Sequence, residues 1–269
     1  MTREVTVAAT TDRGVGAATA SSAAAPAVRL SGVSKRFGDH RPTVLDGIDL
    51  EIRHGELVCL LGASGCGKST LLSIVAGLEP PSAGRVEVAA PGAALMFQES
   101  ALFPWLTARG NVELALRLNG ASRQVRRERA DELLALVRLS GAGGKRVHEL
   151  SGGMRQRVAL ARSLAQDRDV LLMDEPFAAL DAITRDLLHD ELERIWQETG
   201  RTIVFITHNV REAVRLGQRV LLMSSCPGRI VREWQVDVVG ERRIEAPGVS
   251  RLAVEITDHL REEIRRHAR

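Results

Sequence analysis

The chain has no tyrosine, and only three of its 269 residues are cysteine. Cys59, Cys66 and Cys226 are too few and too scattered for a disulfide framework or a metal-binding cluster, which suits a reducing, cytoplasmic setting. No apolar run approaches the roughly 20 residues that carry a helix across a bilayer, so any membrane role passes through a partner and the chain is expected to sit peripherally on the inner face. Arg3 is followed by no apolar segment, which argues against a secretory leader. There is no block of Lys and Arg either. Basic and acidic residues are interspersed and the formal net charge is only +3, so no nucleic-acid partner is expected. What remains is an ordinary globular composition, 44% hydrophobic and 26% charged, long enough for one large α/β domain with a subdomain.

The most informative segment is Gly62-Ala63-Ser64-Gly65-Cys66-Gly67-Lys68-Ser69-Thr70. An apolar run, 57–61, precedes it and reads as a buried strand; a helical pattern, 71–76, follows and stops at Gly77. Three glycines permit a tight turn whose N–H groups converge on phosphate oxygens, and the helix N-terminus adds partial positive charge. Lys68 is the candidate partner of the β- and γ-phosphates, and the Ser69 hydroxyl a candidate Mg²⁺ ligand. Cys66 lies inside this loop, so its position predicts inactivation by thiol reagents and protection by ATP.

Residues 1–26 are rich in Ala, Thr, Ser and Gly without period and read as a disordered tail. Strand signals at 28–33 and 44–52 suggest an antiparallel β layer, with further strands at 83–88 and 94–97. From about 100 to 165 the pattern turns helical, with segments at 112–118 and 123–139 and a third helix beginning at Ser151. Strands at 170–173, 203–206 and 220–223 then alternate with helices at 183–198 and 210–216, ahead of a last strand at 229–236, which implies a parallel sheet with right-handed crossovers. Leu252, Ile256, Leu260 and Ile264 form a stripe on a C-terminal helix, expected to pack on the same chain.

Two more segments carry chemistry. The strand at 170–173 ends in Asp174 and Glu175, at the sheet edge where nucleotides bind in such folds. Asp174 is suited to Mg²⁺, and Glu175 to accepting a proton from an attacking water. Ser151-Gly152-Gly153 opens a helix with a good cap and bare amides, a second anion site in a chain that already has one. One nucleotide has no evident need of both within one protomer; two copies facing each other would use both.

In this order the motifs resemble the ATP-binding subunits of ABC transporters. Residues 151–156 resemble that family's signature, with Met154 where Gln is commonest. Gln98 is similar to the glutamine that senses Mg²⁺ and the attacking water, Ala179-Leu180-Asp181 to the loop that crosses the dimer interface, and His208 to the switch histidine on the γ-phosphate. Phe37 falls where the family stacks an aromatic ring on adenine, often tyrosine. The resemblance spans residues 28–236. It implies a P-loop ATPase fold with a parallel core sheet, an antiparallel β subdomain and a helical subdomain near 100–165, the ATPase domain covering 27–240 and a helical extension 241–269. It also implies a homodimer that encloses ATP and Mg²⁺ between residues 62–70 of one copy and Ser151 to Gly153 of the other, with Lys68, Gln98, Glu175 and His208 around the reacting phosphate. Phe103 and Trp105 beside Gln98 then suggest a groove for a permease helix. The segment Pro104-Trp105-Leu106, Met154 and residues 173–184 look most like importers of nitrate, sulfonate, taurine and related small anions, which work with a periplasmic or lipoprotein solute-binding protein. A thiamine-precursor importer is the alternative within the family, and a non-transport ABC ATPase the alternative outside transport.

Overall fold

The computed structural model describes residues 25–38, 40–237 and 246–267. Of the expected tail 1–26, residues 1–24 lie outside the described residues, as do residues 238–245 at the expected start of the C-terminal extension.

Two sheets organise the chain. The smaller is antiparallel and orders β2 (Thr43–Ile52), β1 (Val28–Arg36) and β4 (Ala83–Val88). The larger has six strands in the order β5 (Ala93–Met96), β6 (Val170–Asp174), β7 (Thr202–Ile206), β3 (Leu57–Gly62), β8 (Arg219–Met223) and β9 (Ile230–Gln235). Neighbours from β5 to β8 run parallel. β9 does not: it pairs antiparallel with β8. The alternation of elements implied a parallel sheet, with a turn at 226–228 ahead of the last strand; that link, 224–229, is too short for the crossover that parallel neighbours need. The Ser224 N–H and the Arg229 carbonyl close that turn at 2.9 Å.

Strand β3 is buried along its whole length, and the two-residue period of a strand explains why. Leu57, Cys59 and Leu61 face one apolar layer, and Val58 and Leu60 face the other. The first layer is closed by α2 (Ala108–Leu118), α3 (Arg123–Leu136), α4 (Gly152–Leu164), α5 (Ala182–Thr199), α6 (Val210–Leu216) and α7 (Pro247–His267). The second is closed by the small sheet and α1 (Lys68–Val75). Each buried Leu or Val in these layers contributes about 1.5–3 kcal/mol relative to exposure.

Several boundaries differ from the sequence reading for local reasons. Helix α2 starts at Ala108 because the Thr107 hydroxyl accepts the Gly110 N–H at 3.0 Å. Helix α3 stops at Leu136, short of Leu139. Arg138 adopts φ 55°, and the N–H groups of Leu139 and Arg138 return to the carbonyls of Leu134 and Ala135 at 2.7 and 2.9 Å, a Schellman closure. On α7 the packed face is Val249, Leu252, Ala253, Ile256 and Leu260. It lies over α6 and Trp234, whose indole N–H donates to Glu255 Oε1 at 2.8 Å. Ile264, the fourth member of the expected stripe, is 45% exposed. No helix of the described residues is long and apolar enough to cross a membrane.

Candidate active site

Because β3, β6 and β7 are adjacent and parallel, their carboxyl ends fall on one edge of the sheet. Residues 62–70, the pair Asp174 and Glu175, and His208 therefore converge, as the sequence motifs required. Gly62 closes β3, and Lys68 opens α1 behind a Gly67 at φ 98°. A Cβ on Gly67 would lie 2.7 Å from Leu45 Cδ2, so the small sheet presses directly on the loop. At Gly65, φ 78°, there is open space on the Cβ side. Lys68 is buried, and its Nζ donates to the carbonyls of Gly62 and Ala63, both at 2.9 Å. Ala63, Ser64 and Thr70 complete the turn, with the Cys66 N–H donating to the Ala63 carbonyl at 3.3 Å.

Cys66 behaves differently from the expectation set by its position. Its side chain folds beneath the loop, 1% exposed, where a Cβ on Gly62 would stand 2.7 Å from its Sγ. Burial pushes its thiol above the ordinary range, against the pull of Lys68. The nucleophile in thiol chemistry is the thiolate, so this is a core cysteine and alkylation at the loop is not expected. Its carbonyl is pressed from the far side by Gly228 in the β8–β9 turn, where a Cβ would come within 2.2 Å of Cys66 O.

Asp174, at the end of β6, accepts a hydrogen bond from Ser69. Burial raises its carboxyl above the usual range; the Ser69 bond opposes this, neighbouring Glu175 adds to it, and Lys68 opposes it. A hydroxyl beside one carboxylate at the mouth of a phosphate loop is an oxygen donor set suited to Mg²⁺, which takes few protein ligands and completes its shell with phosphate and water. Glu175 has φ 43°, a left-handed conformation that costs a non-glycine residue energy and often marks a functional position. Its N–H donates to the Ile206 carbonyl at 3.1 Å, and its Oε2 lies 3.2 Å from His208 Nδ1. Glu175 and His208 share a small cleft with Thr207, Asn209 and Glu212.

Gln98 is exposed, but its carbonyl is held by the Gln156 amide of α4 at 3.1 Å. Arg162, six residues further along α4, donates to the carbonyls of Ala101 and Ser100 at 2.7 and 2.9 Å. These two clasps were not singled out in the sequence; their signal was the polar face of the helix that opens at Ser151. The segment they hold borders a groove of about 620 Å³ lined by Phe97, Phe103, Leu114 and Leu118. Trp105 is two-thirds exposed and packs on Phe103, ring centroids 5.4 Å apart. These rings are therefore not local core. Phe37 is 40% exposed, with Lys35 Nζ 4.8 Å from its centroid.

The Ser151 hydroxyl caps α4 through the Met154 N–H at 3.3 Å, and Asp181 caps α5 through the Thr184 N–H at 3.0 Å. These two starts touch: a Cβ on Gly153 would stand 2.6 Å from Thr184 Cγ2. By contrast, a Cβ on Gly152 would meet Leu180 at an ordinary 3.6 Å. Ser151 and Gly153 line a cavity of about 590 Å³ with Arg138, Lys145, Arg157 and Leu187, and none of residues 62–70 lines it. The turn at Ser151 thus opens onto space that the chain's own phosphate loop does not reach.

A family model described as ABC transporter matches residues 45–178. The taurine import ATP-binding protein of Burkholderia pseudomallei (strain 1710b) is 49% identical over 202 residues, 72% of this chain and 78% of that protein. The chain belongs to the ABC transporter family. Other ABC relatives agree, among them the taurine import ATP-binding proteins of Chromobacterium violaceum, 47% identical over 74% of this chain and 79% of that protein, and of Mesorhizobium japonicum, 43% identical over 78% and 84%. A solved dimeric ATP-binding cassette in a post-hydrolysis state, bound to ADP and Pi, superposes with a TM-score of 0.70 at 33% identity, covering 78% of this chain and 99% of that one. The α/β architecture is that of an ABC ATPase, and the chain is an ATP-hydrolysing cassette of this family.

Proposed function

We propose that two copies of this chain enclose two ATP molecules and use their hydrolysis to drive import of taurine or a related small anion through a membrane permease. The observation that carries the dimeric reading is the Ser151 to Gly153 turn, which faces a cavity that its own phosphate loop does not line. A triphosphate held by residues 62–70 of one copy and by these amides of the other would join the two through charge-assisted hydrogen bonds. ATP is the substrate, with Phe37 offering its exposed ring to the adenine. Asp181, at the start of α5 beside Gly153, belongs to the same interface. Ser69, Asp174 and Gln98 would hold Mg²⁺, which when bound supplies neutralisation of phosphate charge. Lys68 supplies the loop's own cation. Glu175 orients the water and takes its proton, and His208, within hydrogen-bond reach of Glu175, donates to the charge that develops on the transferred phosphoryl group.

The cargo reading is supported by relatives that are named for taurine import. The apolar groove beside Gln98 suits an apolar permease segment at the cytoplasmic face, and import implies a solute-binding protein on the other side. The test uses Glu175→Gln. With Mg²⁺ and ATP this variant is expected to elute as a dimer and to lose turnover by about 10²–10³, returning to monomer when ATP is removed. A monomer under these conditions, or near-normal turnover, would refute the shared site. Loss of labelled taurine uptake on disruption of the coding gene checks the cargo.

A further inference from the structure

We propose that His189 is a positioning residue for His208: a buried relay from α5 holds the loop that carries the switch histidine, and so ties that loop to the helix whose first turn forms the dimer contact. The inference rests on the reading of Glu175 and His208 as the hydrolytic pair.

Beside the active-site cleft, whose lining includes Thr207 and Glu212, the protein buries an unusually polar group for a core: His189, Glu212, Thr207 and Arg215 are all buried. Every donor has a direction. Arg215 has only donors, and its Nη1 lies 3.2 Å from His189 Nδ1, so that nitrogen accepts and carries no proton. His189 is therefore the Nε2–H tautomer, and Nε2 donates to Glu212 Oε1. A second neighbour of the same nitrogen agrees, because Asp186 Oδ1 stays 3.7 Å from Nδ1, beyond hydrogen-bond range, and takes its bond from Arg215 at 3.1 Å instead. Asp190 takes the second Arg215 nitrogen at 2.5 Å. Glu212 Oε2 accepts the Thr207 hydroxyl, and Thr207 Oγ1 accepts the Asn209 N–H at 2.9 Å. Thr207 and Asn209 flank His208 on both sides. The backbone on either side of the switch histidine is thus fixed by one hydroxyl, whose own proton is committed to a carboxylate that His189 orients.

The relay also reaches the interface. Phe177, two residues after Glu175, packs on His189 and on Phe205 of β7 with centroids 5.7 and 5.8 Å apart. Arg185, in the first turns of α5, clasps the carbonyls of Phe177 and Leu180 at 3.3 and 2.6 Å. A shift of α5 at Asp181 would therefore move His189 and, through Glu212, the loop of His208. A buried hydrogen-bonded chain of fixed polarity transmits such a shift as loss of alignment rather than as loss of binding.

The polarity predicts which substitution is tolerated. Glutamine at 189 repeats the pattern, an amide N–H for Glu212 and a carbonyl for Arg215, whereas leucine keeps the volume and removes both. In the full-length chain, His189→Leu is expected to lower kcat by about ten-fold to a hundred-fold while KM for ATP and affinity for MgADP stay within about two-fold. His189→Gln is expected to recover most of the rate. In a His208→Ala background, read by single-turnover hydrolysis of labelled ATP, His189→Leu is expected to cost nothing further, since the residue it positions is gone. Equal losses in both backgrounds, or a glutamine variant as slow as leucine, would overturn the inference. If His189→Leu fails to fold, Thr207→Val cuts the relay at its other end and carries the same test. A His208→Ala chain that hydrolyses at full rate would overturn the site reading itself, and the inference with it; a slow His208→Ala beside a fast His189→Leu overturns the inference alone.

Discussion

Lys68 and Asp174 belong to one charged neighbourhood at the phosphate loop, and their surroundings treat them differently. The lysine is supplied with backbone carbonyls, whereas the carboxylate is desolvated more than Ser69 and Lys68 repay. A carboxyl raised in the folded state holds its proton more tightly there than in the unfolded chain, so stability falls as pH climbs from the ordinary carboxylate range through the raised value. At neutral pH an ionised Asp174 therefore costs stability. Asp174→Asn is expected to raise the Tm of the nucleotide-free protein at pH 7, to raise it less below pH 4, and to abolish Mg²⁺-dependent hydrolysis, as thermal melts and phosphate release would record. The convergence of residues 62–70, 174 and 175 on one sheet edge was legible because both strands end in residues whose type and spacing suit phosphate and Mg²⁺ chemistry. The state of Cys66 was not. Its burial depends on Gly62 and on Met223 and Gly228 more than 150 residues away, which no local pattern displays.

Helix starts carry much of the site; that of α4 was visible in advance as Ser151 before a helical run, whereas Thr107 opens α2 four residues ahead of the expected segment. The stop of α3 was harder to see, since Arg138 takes a left-handed conformation that its residue type does not advertise. At the start of α4 the two signature glycines look alike in sequence and differ in space. Within the chain, Gly152 has room for a methyl group and Gly153 does not. Gly152→Ala should hold or slightly raise the stability of the isolated chain, by up to about 1 kcal/mol, yet weaken the ATP-driven dimer of the Glu175→Gln background. Gly153→Ala should lower stability by about 1–3 kcal/mol as well as weaken the dimer. Urea titration paired with size-exclusion chromatography separates the two effects; an intact dimer with Gly152→Ala would place the nucleotide contact elsewhere.

At the scale of the molecule, strand order was the least legible feature. The sequence announced which segments were strands, but not that β3 lies between β7 and β8, because parallel pairing is decided by crossovers and by the packing of two apolar layers at once. The C-terminal helix belongs to this level too, since Val249, Ala253 and Ile256 complete the layer over Trp234. Ile256→Ala is expected to cost about 2–5 kcal/mol in urea unfolding and Ile264→Ala less than about 0.5 kcal/mol; equal costs would mean that α7 docks by a different face. The last hairpin has a consequence of another kind. With the Gly228 Cα against the carbonyl of Cys66 there is no gap to absorb even a methyl, so alanine at 228 would deform the nucleotide cradle from outside while leaving every motif residue intact. A defect in fuel handling traced to that remote turn would be invisible to any inspection confined to the signature segments.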